Sequence, residues 1–180
     1  MKTKTLIALL FCVTNLFAQT NFYTETKVFN KEEYSYQCNV SPRGNVTLYN
    51  ASNCWIGIEQ KFKETNERFD NEDNELDLTT YESWLQYRNE FYKIMNDAFL
   101  NIDREILRKR GTLHLEFYIN TETGKVDDIT FFFNRRSCYV HLPISFFRQL
   151  ELTLKEKCQF VTTDFGKTIN YIYQWDTFKL

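Results

Sequence analysis

The hydrophobic positions in the second half of the chain repeat with two periods, and each period predicts a different element. From residue 80 to residue 110, apolar side chains recur every three or four positions, which is the spacing of an amphipathic helix. Thr79, followed by Glu82, gives a capping-box pattern, and Gly111 is a stop signal. One long helix is therefore predicted over 80–110. Its buried stripe is Trp84, Tyr87, Phe91, Ile94, Ala98, Ile102 and Ile106.

A strict alternation of apolar and polar residues follows this helix and predicts a β-hairpin. Residues 112–119 alternate as in a strand with one buried face. Gly124 lies in a polar turn, and residues 126–133 resume the alternation with Ile129, Phe131 and Phe133 on one face. Because the turn is short, the two strands are expected to pair antiparallel.

The last part of the chain predicts one more helix and one more strand. Pro143 starts an amphipathic pattern that continues to Cys158, and proline favours the first turn of a helix. Residues 167–178 then alternate as a final strand, with Ile169, Tyr171, Tyr173 and Trp175 on one face. The inward positions of the helix are Phe146, Phe147, Leu150 and Leu154.

The first half of the chain predicts strands. Aromatic and β-branched runs cover residues 22–29, 34–40 and 45–49, and the turns between them are polar or contain Pro and Gly. A further short strand is expected at 55–58. Residues 64–78 are rich in Asn, Asp and Glu, which is typical of a solvated connector. This interval lacks the spacing and the glycine of an EF-hand calcium loop.

Together these patterns predict an α+β fold. An N-terminal β-hairpin or meander over residues 19–63 precedes the connector at 64–78. Residues 79–180 then form an antiparallel sheet packed against a long helix and a shorter one. No repeat or Pro-rich linker divides the chain, and its length suits a single core, so residues 19–180 are expected to form one compact domain.

Residues 1–18 have the layout of a cleavable signal peptide. Lys2 and Lys4 precede an apolar run of about a dozen residues, and Leu16-Phe17-Ala18 forms a cleavage site before Gln19. The run is shorter than the ~20 residues that span a bilayer. We therefore expect an exported protein, periplasmic or extracellular, without a transmembrane segment in its mature chain; an uncleaved membrane anchor is the alternative.

The charge balance gives no indication of nucleic-acid binding. Loss of Lys2 and Lys4 with the leader changes the formal net charge from −2 to −4. The basic cluster between Arg104 and Arg110 falls at the end of the predicted long helix, where cations complement the helix dipole. Nucleic acid is therefore not an expected partner.

Cysteine chemistry is the main open question for the exported chain. Cys38, Cys54, Cys138 and Cys158 remain after the leader, and an even number in an oxidising compartment favours disulfides. We expect the local pairs Cys38–Cys54 and Cys138–Cys158, which would close loops of roughly 15–20 residues. Buried free thiols are the alternative. The spacing offers no zinc site.

The order of elements from Ile102 onward resembles the C-terminal domain of TonB. Gly111 before the alternating strand, Gly124 at the turn and Val126 at the start of the next strand occupy that family's typical places. The resemblance covers residues 102–180 and implies a helix-strand-strand-helix-strand fold. TonB's membrane anchor and Pro-rich span have no counterpart here, so energy transduction is not implied. The leader, ending in Phe17-Ala18-Gln19, resembles those of small exported Bacteroidetes proteins of unknown function.

The sequence contains little catalytic chemistry. The two histidines, His114 and His141, are not accompanied by a nucleophile motif, a zinc-protease motif or a phosphate-binding glycine loop. We therefore expect a protein that is not an enzyme and that requires no cofactor or metal.

A binding role is favoured by the predicted last strand. At a sheet edge, this strand would offer its amides to a strand of another envelope protein. Tyr171, Tyr173 and Trp175 would be the contact residues, unless they fill the core. The alternative function is binding of a glycan or small molecule through exposed aromatic residues, namely Tyr34, Tyr36 and Trp55.

Overall fold

The structure is a computed structural model that describes residues 21–70 and 78–180. The predicted signal peptide with its cleavage site lies outside the described residues, and so does the part of the predicted connector at 71–77. Within the described ranges, none of the helices has the length and apolar character needed to span a bilayer.

Six strands form one antiparallel sheet. They are β1 (Lys27–Asn30), β2 (Ser35–Val40), β3 (Asn45–Asn50), β4 (Thr112–Ile119), β5 (Val126–Asn134) and β6 (Ile172–Lys179). The strand order is β1-β2-β3-β5-β4-β6, so β3 from the first half of the chain pairs with β5 from the second. The hairpin prediction for β4 and β5 is confirmed. The strand predicted at 55–58 is wrong, because this segment forms turns.

The predicted long helix is interrupted. Helix α1 (Tyr81–Leu100) begins after Thr80, whose hydroxyl oxygen accepts a hydrogen bond from the backbone N–H of Ser83. After a break, the short helix α2 (Arg104–Leu107) starts at Asp103, whose carboxylate accepts from the backbone N–H of Glu105 at 2.8 Å. An Asp side chain that satisfies free N–H groups in this way starts a new helix in place of continuing the old one. The prediction of a continuous helix to Arg110 is therefore wrong.

Helix α3 (Ile144–Lys157) matches its prediction and packs with α1 against one face of the sheet. Phe147 of α3 lies 5.2 Å from Phe131 of β5, measured between ring centroids. Tyr87 of α1 lies 5.5 Å from Phe117 of β4 in the same way. Close aromatic packing of this kind buries large apolar areas, so the core lies between the two helices and this face of the sheet.

None of the helices in the described residues covers the opposite face of the sheet, which carries the polar positions of β4, namely His114, Glu116 and Tyr118. The loop after β3 covers part of this face near the start of β6. The hydroxyl of Tyr171 donates to the carbonyl of Ile58 at 2.6 Å, which fastens that loop to the sheet. We call this surface the open face.

Candidate functional site

Strand β6 forms one edge of the sheet in the described part of the chain, because only β4 pairs with it. Leu180, just after β6, donates its backbone N–H to the carbonyl of Gly111. Hydrogen-bonded positions alternate along an antiparallel pair, so the even-numbered residues of β6 bond to β4. The backbone groups of Tyr173, Trp175 and Thr177 therefore point away from β4, toward the edge.

An aromatic groove of about 310 Å³ runs between this edge and α1. Tyr81 stacks on Trp84 with ring centroids 6.0 Å apart, and the guanidinium of Arg88 lies 4.9 Å above the Trp84 ring. Trp175 supplies the strand side of the groove and is 54% exposed. We call this site the β6 groove; its lining residues are Thr79, Tyr81, Trp84, Arg88, Tyr92, Gln174, Trp175, Asp176 and Thr177.

The floor of the β6 groove contains a partly buried carboxyl group. Asp176 Oδ2 accepts a hydrogen bond of 2.8 Å from the hydroxyl of Tyr87. Burial raises the pKa of Asp176, and the Tyr87 hydrogen bond, the Arg88 charge and the backbone of Thr177 only partly offset that rise. The carboxyl group thus joins α1 to the edge strand.

The three predicted contact residues have different surroundings. Trp175 is exposed at the edge, as the partner-binding prediction requires. Tyr173 is half-buried and donates its hydroxyl to Glu116 Oε1 at 2.7 Å on the open face. Tyr171 is only 4% exposed and precedes β6, where it fastens the loop at Ile58, so its assignment as a contact residue is wrong.

Glu116 is a carboxyl group on the open face that accepts hydrogen bonds from Tyr173 and Tyr118. Burial raises the pKa of its carboxyl group, and hydrogen bonds from Tyr173 and Tyr118 act in the opposite direction. The carboxylate thus holds Tyr173 on the open face. Trp175 is paired with Glu116 and projects from the same face, but of the three predicted residues it alone borders the β6 groove.

The aromatic residues predicted to bind a glycan or small molecule lie in two separate places. Tyr36 is fully buried, and its hydroxyl donates to the buried carboxylate of Glu151 in α3. Trp55 packs against Tyr171, with ring centroids 4.7 Å apart, while Tyr34 lies beside Tyr36. Because Tyr36 has no exposed face, its prediction as an exposed binding residue is wrong, whereas Tyr34 and Trp55 are half-buried.

The four cysteines in the described residues are free thiols, so the predicted disulfides are not formed. Cys138 precedes α3 and Cys158 follows it. A disulfide requires Cα atoms within about 7 Å, whereas a helix of this length extends about 21 Å. Cys38 is buried within β2, while Cys54 is exposed in the loop after β3. Both predicted pairings are therefore wrong, and burial of the thiol holds for Cys38, Cys138 and Cys158.

Sequence reasoning missed the helix side of the β6 groove. Trp84 belonged to the predicted buried stripe, but it is half-buried and lines the groove. Tyr81 precedes Trp84 and Arg88 and Tyr92 follow it, all at helical spacing, and this repeat was the sequence signal for a second stripe on α1. In the described ranges, no three His, Cys, Asp or Glu side chains converge as a metal site would require.

Comparisons with known proteins place the chain among domains of unknown function. The profile of DUF5043, a domain of unknown function, matches residues 19–175. The crystal structure of a DUF5043 family protein from Bacteroides uniformis ATCC 8492 is similar, with a TM-score of 0.77 and 27% sequence identity. The match covers 89% of this chain and 88% of that chain. No curated protein matches the sequence.

Proposed function

We propose that this chain, which belongs to the DUF5043 family, is a non-enzymatic protein-binding module of the cell envelope. In this proposal, an extended segment of a partner protein pairs with the edge of β6 and adds a strand to the sheet. The family is known only as a domain of unknown function, so the proposal rests on the geometry of the site.

The observation that carries the proposal is the combination of an edge strand with exposed aromatic side chains. β6 has a neighbour on one side only in the described residues, and Trp175 is 54% exposed on it. Proteins normally protect an exposed edge with charge, proline or a bulge, because it pairs readily with other strands. The central part of β6 contains no proline, and its one charged side chain, Asp176, is hydrogen-bonded to Tyr87 of α1, so Trp175 is the exposed residue there. This composition favours a recognition edge.

The β6 groove supports side-chain recognition in addition to backbone pairing. An added strand would direct every second side chain toward α1, where Tyr81, Trp84 and Tyr92 offer aromatic surface. Arg88 and Asp176 place one charge of each sign in the groove. A partner segment with an apolar or aromatic residue at alternate positions fits this lining, because aromatic anchors supply most of the binding energy in small interfaces.

The cellular location in this proposal comes from the leader. Residues 1–18 read as a signal peptide, which would bring the domain to the periplasm or the cell surface. Residues 102–180 resemble the TonB C-terminal domain in the order of their helices and strands. This order is the feature of the resemblance that supports a partner in the cell envelope. An origin of this chain in the Bacteroidetes would agree with the organism of the similar solved structure, Bacteroides uniformis.

A capture experiment with edge variants tests the proposal. Tagged protein is incubated with an envelope extract of the producing cells, and captured proteins are compared by mass spectrometry. Trp175→Lys removes the indole anchor, and Trp175→Pro also removes a backbone N–H that points to the edge. Val28→Lys, on the exposed side of β1 at the other edge of the sheet, is the matched control.

The proposal predicts a partner that is captured by the wild type and by Val28→Lys, and lost in both Trp175 variants. Each variant is first shown to be folded by its circular dichroism and thermal midpoint. A partner that is retained by both folded Trp175 variants would contradict binding at β6. A partner lost only with Val28→Lys would assign recognition to β1 instead.

A further inference from the structure

A second cavity, of about 530 Å³, lies on the open face where β3 and β4 begin and β5 ends. It is separate from the β6 groove and shares no lining residue with it. The half-buried Phe132 lines it, and its polar lining residues are Asn45, Arg110, Thr112, His114, Asn134, Arg136 and Ser137. A volume of this size is within the range of small-molecule sites, roughly 300–1,000 Å³.

The charge of this cavity is one-sided. Arg110 and Arg136 line it, and no Asp or Glu does. Neither arginine takes part in an ion pair within the described ranges. The chain as a whole is net negative, at −2, so two guanidinium groups without carboxylate partners form a local exception. Such a pair of arginines provides a site for an anion, because guanidinium groups bind phosphate and carboxylate oxygens in a bidentate manner.

Several polar groups around the cavity are held by hydrogen bonds within the protein. Asn134 accepts a hydrogen bond from the backbone N–H of Arg136 at 3.0 Å and donates its amide to Asn45 at 3.0 Å. The hydroxyl of Ser137 donates to the carbonyl of Asn134 at 2.6 Å, which closes the turn that carries Arg136. His114 Nδ1 lies 2.9 Å from Thr177 Oγ1, which fixes the imidazole ring. The turn that carries Arg136 and the imidazole of His114 are therefore ordered before binding, and the exposed side chains of Arg110 and Arg136 are the groups that a ligand must still order.

We infer that this cavity binds an organic phosphate. Arg110 and Arg136 would hold the phosphate oxygens, and the ring of Phe132 would contact a flat or apolar part of the same molecule. The cavity is larger than an inorganic anion needs, and the Phe132 ring gives the remainder of the ligand a surface to pack on. A free metabolite and the headgroup of a phospholipid share this chemistry.

Titration calorimetry with phenyl phosphate tests this inference on the purified protein. Phenyl phosphate combines the dianion with a ring, whereas inorganic phosphate lacks the ring and phenol lacks the charge. We expect phenyl phosphate to bind more tightly than either. Arg110→Gln and Arg136→Gln should each weaken it about tenfold or more, since each removes charge-assisted hydrogen bonds. Arg43→Gln removes a charge from the neighbouring β2–β3 turn, outside the lining, and should have little effect.

The thermal midpoint of each variant shows whether it is folded. Binding to phenyl phosphate that is unchanged in the folded Arg110→Gln, Arg136→Gln double variant would overturn the assignment, and so would a wild type that binds none of the three probes. Inorganic phosphate that binds as tightly as phenyl phosphate would overturn the role of Phe132. Sedimentation with phosphatidylcholine vesicles, with and without phosphatidic acid, distinguishes a lipid headgroup from a free organic phosphate. Sedimentation that requires both phosphatidic acid and the two arginines supports a headgroup. A protein that binds phenyl phosphate but does not sediment with these vesicles supports a free organic phosphate.

Discussion

The hydroxyl of Tyr87 in α1 donates a hydrogen bond of 2.8 Å to Asp176 in β6. Tyr87 is almost fully buried, so this contact crosses from the core to the floor of the β6 groove. It sets the position of the helix relative to the edge strand. The width of the proposed recognition groove therefore depends on a pair of residues that a bound partner would not need to touch.

Removing this hydroxyl should destabilise the protein. Tyr87→Phe leaves the partly buried carboxyl group of Asp176 without its donor from the core, which typically costs about 1–3 kcal/mol. The free energy of unfolding from urea titration measures the loss. Tyr81→Phe is the control, because Tyr81 is exposed and should change the stability by less than about 0.5 kcal/mol. Equal stability of wild type and Tyr87→Phe would show that the contact contributes nothing.

The buried carboxyl groups predict a pH dependence of stability. Burial raises the pKa values of Glu116, Asp128 and Asp176 above their ordinary values of 4.5 for Glu and 3.8 for Asp. A raised pKa means that the folded state binds the proton more strongly than the unfolded state does. The protonated carboxyl group therefore contributes to the free energy of unfolding at acidic pH, and this contribution is lost as the pH rises through the folded-state pKa.

Glu116→Gln isolates one of these contributions. Glutamine keeps one oxygen acceptor, for Tyr173, and presents its amide NH2 toward Tyr118, and because it cannot ionise it loses no stability as the pH rises. The unfolding free energy of the variant relative to wild type should therefore increase from pH values near the ordinary Glu pKa toward neutral pH. Parallel pH profiles for the two proteins would contradict the raised pKa of Glu116.

Gly124 is predicted to be intolerant of any side chain. It has a left-handed backbone, with φ of 68°, and a Cβ atom there would lie far inside contact distance of the carbonyl oxygen of Phe160. Gly124→Ala should lower the unfolding free energy by roughly 2–5 kcal/mol. Gly57 has φ of 74° but open space around it, so Gly57→Ala should lose only about 1 kcal/mol. Similar losses at both sites would rule out the steric part of this explanation.

The free cysteines predict selective alkylation. Burial raises the pKa of Cys38 to about 11 and that of Cys158 to about 12, and it also raises the pKa of Cys138. Because the thiolate is the reactive form, iodoacetamide at neutral pH should modify Cys54 and spare these three until the protein is denatured. Peptide mass spectrometry identifies the modified cysteines. Cys54→Ser should abolish the modification of the folded protein. A mass showing intact disulfides would contradict the free thiols.

Elements defined by local signals could be predicted from the sequence, while their arrangement could not. The hairpin of β4 and β5 followed from alternation around Gly124, and α3 from a single apolar period after Pro143. The long helix was predicted too long because Asp103, a capping residue inside the apolar pattern, carried a stronger local preference than that pattern. Periodicity therefore identified elements well and their ends less well.

The candidate site depended on pairings between distant residues. The β6 groove exists because α1 crosses beside β6, and alternation within either element contains no information about that contact. Tyr171 and Trp175 are four positions apart, so a regular strand would place both on the same face. An irregular segment before β6 instead buries Tyr171, while Trp175 is exposed. The sequence indicated an edge strand with aromatic residues, and only the tertiary packing showed which of them can reach a partner.

Hydrogen–deuterium exchange of the protein alone and with its captured partner is the most direct test of strand addition at β6. Strand pairing would satisfy the backbone N–H groups of Tyr173, Trp175 and Thr177, which point to the edge. Strand addition at β6 predicts slower exchange over residues 172–179 in the complex, with exchange over residues 27–30 at the opposite edge unchanged. Unchanged exchange over 172–179 in a saturated complex would contradict it.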